Sequence, residues 1–227
     1  MKTKCKLEKH LIEKNIKNVI ILCRGKSVEK IKNFEGNSRD NFCIFFVNKF
    51  KELKKNKVLA LKIKEKNSSF NVQFINNDHV NIEDKNTLDF FNIKCIQSNK
   101  KRTDLDAPKD LKSLEKNINY SEILYIDEST KDSDYKLKSN GMSCLGYVST
   151  FSEIENIHIF GLDFFECDYF SHHVHTGDKS VREYQPQKGK VAKNQFRELV
   201  NKNKNINYHI YTYAEFESVD VDNFFIY

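Results

Sequence analysis

The stretch SNGMSCLGYVSTFSEIENIHIFGLDFFECDYFSHHVH, residues 139–175, holds three of the chain's seven glycines and four of its seven histidines. With the TGD that follows, it brings His172, His173, His175 and Asp178 close together in sequence. An imidazole titrates near neutral pH and can take a proton from a hydroxyl. The same side chains offer nitrogen and oxygen ligands to a metal, although no HExxH is present and zinc ligands usually come from separated rigid elements. A solvated loop would carry the same residues. Residue types alone leave base, metal site and loop open.

Four further groups could do chemistry. RGKS, Arg24–Ser27, follows an apolar run, so Gly25 can bring backbone close to a phosphate and Ser27 can sit at a helix start. It is not a Walker loop, because GxxxxGK[ST] is absent. Asn48 ends a second apolar run, at the carboxyl edge where open α/β sheets bind ligands. Ser139, Asn140 and Gly141 open a helix of small residues and could present N–H groups and a hydroxyl to an anion. Asp163, in GLDFF, follows a third apolar run and could hold a hydroxyl, a metal or its own loop. For each of these the ordinary alternative is a turn or a helix cap.

The elements that must position these groups alternate. NVIILC (18–23) and NFCIFFVNKF (41–50) are apolar runs expected of strands buried on both faces. Between them VEKIKNF places Val28, Ile31 and Phe34 on one side of a short helix. KELKKN (51–56) reads as a polar helix end or loop. KVLALKIK (57–64) and FNVQFIN (70–76) alternate and read as two strands joined by EKNSS. Short helices are expected near LDFF (88–91) and in KDLKSLEKN (109–117), and a strand at EILYID (122–127). MSCLGYVSTFSEI (142–154) has a helical period, and NIHIFGLDFF (156–165) is a strand running into a turn. KVAKNQFRELVNKN (190–203) is amphipathic through Val191, Phe196, Leu199 and Val200, and INYHIYTY (206–213) is a last strand. This succession predicts an α/β fold: one Rossmann-like domain over 1–227, with a mostly parallel sheet and helices on both faces.

Composition removes several classes. With 18 Phe and 10 Tyr among 227 residues, aromatics must build much of the core. The net charge of +6 comes from intermixed acids and bases, which suits an anionic ligand or a membrane-surface attraction rather than nucleic acid. None of the six cysteines forms a CxxC pair, so they are expected to be small core residues. No run reaches membrane-spanning length, and MKTKCKLEKHLIEK lacks the apolar core of a signal peptide. The chain therefore reads as cytoplasmic, at most touching the inner membrane surface.

Taken in order, these groups resemble the sialyltransferases. VIILCRGKSVEKI and the FFVN that ends at Asn48 resemble the family's large N-terminal motif, a strand, a glycine turn and a second strand ending in Asn. SNGMSCLGYVSTFSEIENIHIFGLDFF resembles the small motif, with its Ser/Thr-Gly, small-residue helix, apolar strand and G-[FI]-D-[FY]. HHVHTGD resembles the histidine elements that follow. The first two motifs are similar to those of the Campylobacter-type bacterial enzymes, and the histidines to the animal and plant type. Arg24 stands where the family usually has Asn, and Phe164–Phe165 lacks the bacterial type's Tyr. The resemblance implies a GT-A-like variant of the fold and an inverting transfer of sialic acid or a related nonulosonate from a CMP-activated donor to a glycan or glycolipid hydroxyl, with no metal and no cofactor. It implies His175 as base, with His172, His173 and Tyr169 as donors to the leaving phosphate. Ser139, Asn140 and Gly141 would hold the nucleotide; Gly25, Ser27 and Asn48 its phosphate and ribose. Arg24 would contact phosphate or carboxylate, and Asp163 a loop or a ribose hydroxyl. The alternatives are a nucleotide-sugar binding protein that has lost transfer, or a metal-dependent hydrolase built on His172–Asp178.

Overall fold

The computed structural model describes residues 6–36, 41–66, 70–75, 83–98, 139–166, 185–216 and 221–227. Seven strands form one sheet: β1 (Asn18–Leu22), β2 (Phe42–Val47), β3 (Asn71–Ile75), β4 (Ile93–Ser98), β5 (Asn156–Phe160), β6 (Asn207–Tyr211) and β7 (Phe224–Ile226). Their order is β4-β3-β2-β1-β5-β6-β7, and every pairing is parallel. The α/β, doubly wound expectation holds, and among the described residues every strand pairing in the sheet is parallel.

Parallel strands need cover on both faces, and the side chains divide accordingly. Val19 and Ile21 of β1, with Cys43 and Phe45 of β2, pack under α1 (Lys6–Glu13), α5 (Asn140–Val148) and α6 (Gln185–Lys202). Ile20 and Leu22, with Ile44 and Phe46, pack under a 3-10 helix (Lys26–Asn33), α2 (Lys51–Lys55), α3 (Lys57–Glu65) and α4 (Lys85–Phe90). Val28, Ile31 and Phe34 are buried on the second face, as their spacing predicts.

Four readings change. KVLALKIK is a helix, not a strand: it buries Leu59, Ala60 and Ile63, and Asn56 caps it by accepting from the Leu59 N–H at 3.1 Å. Helix-forming Ala, Leu and Lys outweigh the apparent alternation. KELKKN forms α2. On α6 the buried apolar side chains are Ala192, Phe196, Leu199 and Val200, while Val191 faces solvent. INYHIYTY is not the last strand, because β7 extends the sheet beyond it. The segments KDLKSLEKN and EILYID lie outside the described residues.

Cys23, Cys43, Cys95 and Cys144 are buried free thiols, as expected of core cysteines. Among the described residues no helix is long and apolar enough to cross a membrane. A row of rings crosses the 3-10 side of the sheet: His158 stacks on His209, which stacks on Phe225, following the strand register. Among the described residues the buried His158 Nδ1 has no hydrogen-bond partner, and burial lowers the ring's pKa to about 3, with His209 adding to the shift.

The strand order reverses between β1 and β5. From β1 the chain proceeds to β2, β3 and β4 on one side; β5, β6 and β7 lie on the other. The carboxyl ends of β1 and β5 therefore flank the switch-point crevice in which open α/β sheets bind ligands.

Candidate functional site

At this crevice the loops leaving β1 and β5 are stitched together. The Cys23 N–H donates to the Phe160 carbonyl and the Gly25 N–H to that of Gly161, each at 2.8 Å. The Ser27 N–H donates to Asp163 Oδ2 at 2.9 Å, and Ser27 Oγ accepts from the Gly161 N–H at 3.1 Å. The other carboxylate oxygen, Oδ1, accepts from the Thr212 hydroxyl at 3.0 Å and the Tyr213 N–H at 3.2 Å. Asp163 thus ties together the carboxyl ends of β1, β5 and β6, which is the loop-holding role among those open to it.

This geometry revises why Gly25 and Ser27 are present. A Cβ at residue 25 would lie 2.5 Å from Asp163 Oδ2 and 2.6 Å from the Gly161 carbonyl oxygen. The glycine permits the β1 and β5 loops to meet, and its open side is filled by protein. Ser27 is fully buried and bridges the loops; the residue flanking the 3-10 helix start is Gly25.

The second wall is the start of α5. Ser139 caps it, its Oγ accepting from the Met142 N–H at 3.2 Å. The first turn has no acidic residue, so the positive end of the helix dipole is uncompensated there. Gly141 is helical, and a Cβ on it would lie 2.7 Å from Cys23 Sγ and 3.1 Å from Leu162 Cδ1. The helix start is therefore seated directly on the β1 and β5 loops. Burial, with the Asp163 charge adding, pushes the Cys23 thiol up to about 12. It stays protonated at neutral pH and is no nucleophile.

Asn48 closes the third side. Its Oδ1 accepts from Asn140 Nδ2 at 2.5 Å, across 92 residues of sequence. Its backbone is left-handed, with φ at 61°. Two bonds from β3 hold that conformation: the Asn48 N–H donates to the Phe74 carbonyl at 2.8 Å, and Gln73 Nε2 donates to the Asn48 carbonyl at 2.9 Å. Behind Gln73 sits Glu83, whose carboxylate accepts from the Phe50 and Lys51 N–H groups at the start of α2. Burial raises the pKa of Glu83, and those two N–H groups oppose the rise. Gln73 and Glu83 escaped the sequence reading. The one available signal was a glutamine in an otherwise apolar strand run.

Left-handed backbone concentrates here. Gly161 has φ at 75°, and Phe164 and Phe165 have 48° and 63°. Large side chains in this region are strained, and such residues cluster at functional sites. Phe164 is pinned by its rings' packing on Phe196 and Phe216, and the Glu166 N–H closes the turn on the Asp163 carbonyl at 2.9 Å.

Of the residues singled out in the sequence, Gly25, Ser27, Asn48, Ser139, Asn140, Gly141 and Asp163 converge on this crevice, and Arg24 stands half-buried at its β1 side. Tyr169, His172, His173, His175 and Asp178 lie outside the described residues. Among the described residues no cluster of three His, Cys, Asp or Glu side chains could hold a metal ion.

The fold and crevice define a doubly wound α/β protein with a switch-point site. No family model matches the chain, and neither does any curated protein. Among solved structures it is similar to the sialyltransferase CstII from Campylobacter jejuni, described in complex with a substrate analogue, cytidine-5'-monophosphate. That similarity has a TM-score of 0.49 and 14% identity, over 86% of this chain and 80% of the other.

Proposed function

We propose that this chain is a glycosyltransferase that takes a sugar acid, sialic acid or a related nonulosonate, from a CMP-activated donor to a glycan or glycolipid hydroxyl. The observation that carries the reading is convergence. The stretches that resemble the two sialylmotifs meet at one switch-point crevice, joined by Asn48 to Asn140 and by Ser27 to Asp163.

In this reading the nucleotide phosphate lies at the uncharged first turn of α5, where helix N–H groups favour an anion. Asn48, Asn140 and Ser139 supply polar atoms for phosphate and ribose, and Arg24 supplies charge to the phosphate or the donor carboxylate. Transfer is a single inverting displacement. The acceptor oxygen bonds to the anomeric carbon as the bond from that carbon to the phosphate oxygen breaks, and CMP leaves with the electron pair. His175 takes the acceptor proton. His172, His173 and Tyr169 donate to the departing phosphate, whose growing charge they stabilise. The reaction uses no metal in this scheme. These four residues belong to the connection between Glu166, which follows β5, and the start of α6.

A thermal-shift screen of nucleotides tests the reading. CMP and CDP should raise the melting temperature, and AMP, GMP and NAD should not, because a ligand well above its Kd stabilises the fold. A preference for adenine nucleotides would remove the donor assignment. CMP binding without transfer to any glycan acceptor would instead make the chain a nucleotide-sugar binding protein.

A further inference from the structure

Residues 49–66, KFKELKKNKVLALKIKEK, hold eight lysines and two glutamates, a formal net charge of +6 that equals that of the whole chain. They form α2 and α3. In their midst Val58 and Leu61 are 61% and 60% exposed, more than any other large hydrophobic side chain among the described residues. At 100° per residue, α3 turns Leu59, Ala60 and Ile63 to the core and places Leu61, Glu65 and Val58 along the middle of its outer face. Lys57 and Lys64 flank that line on one side and Lys62 on the other. Glu65 is paired with Lys62 at 2.8 Å, which neutralises the acid within the line.

Two exposed apolar side chains bordered by lysines fit the boundary between lipid headgroups and acyl chains. The branched side chains enter the apolar layer, and the flexible lysine stems reach back to the phosphates. Other partners fit less well. A second copy of the same face would bring two strongly positive surfaces together. A nucleic-acid phosphate backbone would leave the two apolar side chains without a counterpart, and the segment contains no arginine for bidentate phosphate contacts.

We propose that the outer face of α3 docks this protein onto anionic lipid membranes, with Val58 and Leu61 entering the headgroup boundary and the surrounding lysines holding the lipid phosphates. The docking is independent of the nucleotide reading.

Flotation with vesicles of phosphatidylcholine alone, or mixed with phosphatidylglycerol, tests this without nucleotide or acceptor. Wild-type protein should float with the anionic vesicles, fail to float with the neutral ones, and be released by salt. Val58→Ser/Leu61→Ser and Lys57→Gln/Lys64→Gln should each lower partitioning by about tenfold or more while leaving the thermal transition in place. The chain has no tryptophan, so Leu61→Trp supplies a single reporter. Its emission should shift to the blue on anionic vesicles and stay unshifted with a DNA duplex. No flotation of the wild type overturns the proposal. So does undiminished flotation of the Val58→Ser/Leu61→Ser variant, or salt-sensitive binding to the duplex that exceeds binding to vesicles.

Discussion

The side-chain amides of Asn48 and Asn140 are hydrogen-bonded to each other, joining the end of β2 to the start of α5. Asn48 does this from a left-handed backbone, a conformation Asn tolerates better than most residues. Two substitutions separate amide from backbone. Asn48→Gly keeps the conformation and loses the amide; Asn48→Ala loses the amide and adds strain of about 1 kcal/mol. Both should weaken CMP binding by about five- to tenfold, the worth of one hydrogen bond, and only the alanine variant should also shift the urea midpoint by that strain. Asn140→Ala combined with Asn48→Gly should lose less affinity than the two single losses added, because either change breaks the same pair. Calorimetric CMP titration of the wild type, the three single variants and the double variant checks this.

Asp163 is expected to matter for stability before it matters for ligand. From the end of β5, its two oxygens take two backbone N–H groups and a hydroxyl supplied by the ends of β1 and β6. Asp163→Ala leaves the Ser27 and Tyr213 N–H groups without their acceptor and should destabilise the fold by about 2–4 kcal/mol in urea denaturation. Asp163→Asn, with one acceptor oxygen left, should fall between. A midpoint for Asp163→Ala equal to wild type would mean that the β1, β5 and β6 loops hold together without this carboxylate.

Gly141 meets Cys23 where α5 is seated on the β1 loop. Gly141→Ala should destabilise by about 1–3 kcal/mol through overpacking, and Cys23→Ala in the same chain should recover about 1 kcal/mol or more of that by removing the sulfur. Additive effects in denaturant midpoints would contradict the contact. Gly141→Val, with more bulk against Leu162, should bind CMP more weakly than Gly141→Ala.

The sheet centre was legible because strands buried on both faces leave unbroken apolar runs, as in NVIIL and FCIFFV. The edges were not. In β4, IKCIQS mixes the buried Ile93 and Cys95 with a buried polar Gln97, so its alternation is weak. The three-residue β7 is too short to show a period. In α1, charged neighbours hide Leu7 and Leu11 at helical spacing. The α3 segment misled because Leu59, Leu61 and Ile63 alternate, whereas the core takes Leu59, Ala60 and Ile63. At the site, the special residues were readable as types, but their causes were not. Gly25 is small because Asp163 approaches it from 138 positions downstream in the chain, and only the folded chain brings them together.

The buried ring of His158 makes stability depend on pH. Its folded pKa is about 3 against an ordinary 6.5, so it remains neutral in the fold where the unfolded chain takes a proton. Its contribution is complete above the unfolded value and is lost as pH falls from there toward the folded value. The stacked His209, also shifted downward by burial, acts in the same direction. Between about pH 7 and pH 5, above most carboxylate titration, His158 alone should remove about 2 kcal/mol. His158→Phe should keep the stacking and show a loss smaller by that amount. Urea midpoints of both proteins across this range supply the comparison; parallel curves would mean that the ring is protonated in the fold.

The last expectation concerns the proposed base. An acceptor hydroxyl is a poor nucleophile at neutral pH, and a positioned imidazole contributes about 10²–10⁴ in rate by removing its proton. His175→Ala should therefore bind CMP as wild type does and transfer more slowly by about that factor. His172→Ala and His173→Ala should lose less, since each would contribute one hydrogen bond to a departing phosphate. The wild-type rate should fall on the acid side as the base gains a proton, and chelator should leave it unchanged. Single-turnover transfer from CMP-sialic acid to a galactose-terminated acceptor resolves the roles, because it reads chemistry apart from product release. Full activity in His175→Ala with loss in His172→Ala or His173→Ala would move the base along the histidine run. Loss of activity on chelation, restored by a divalent ion, would favour the metal-dependent alternative over displacement by a histidine base.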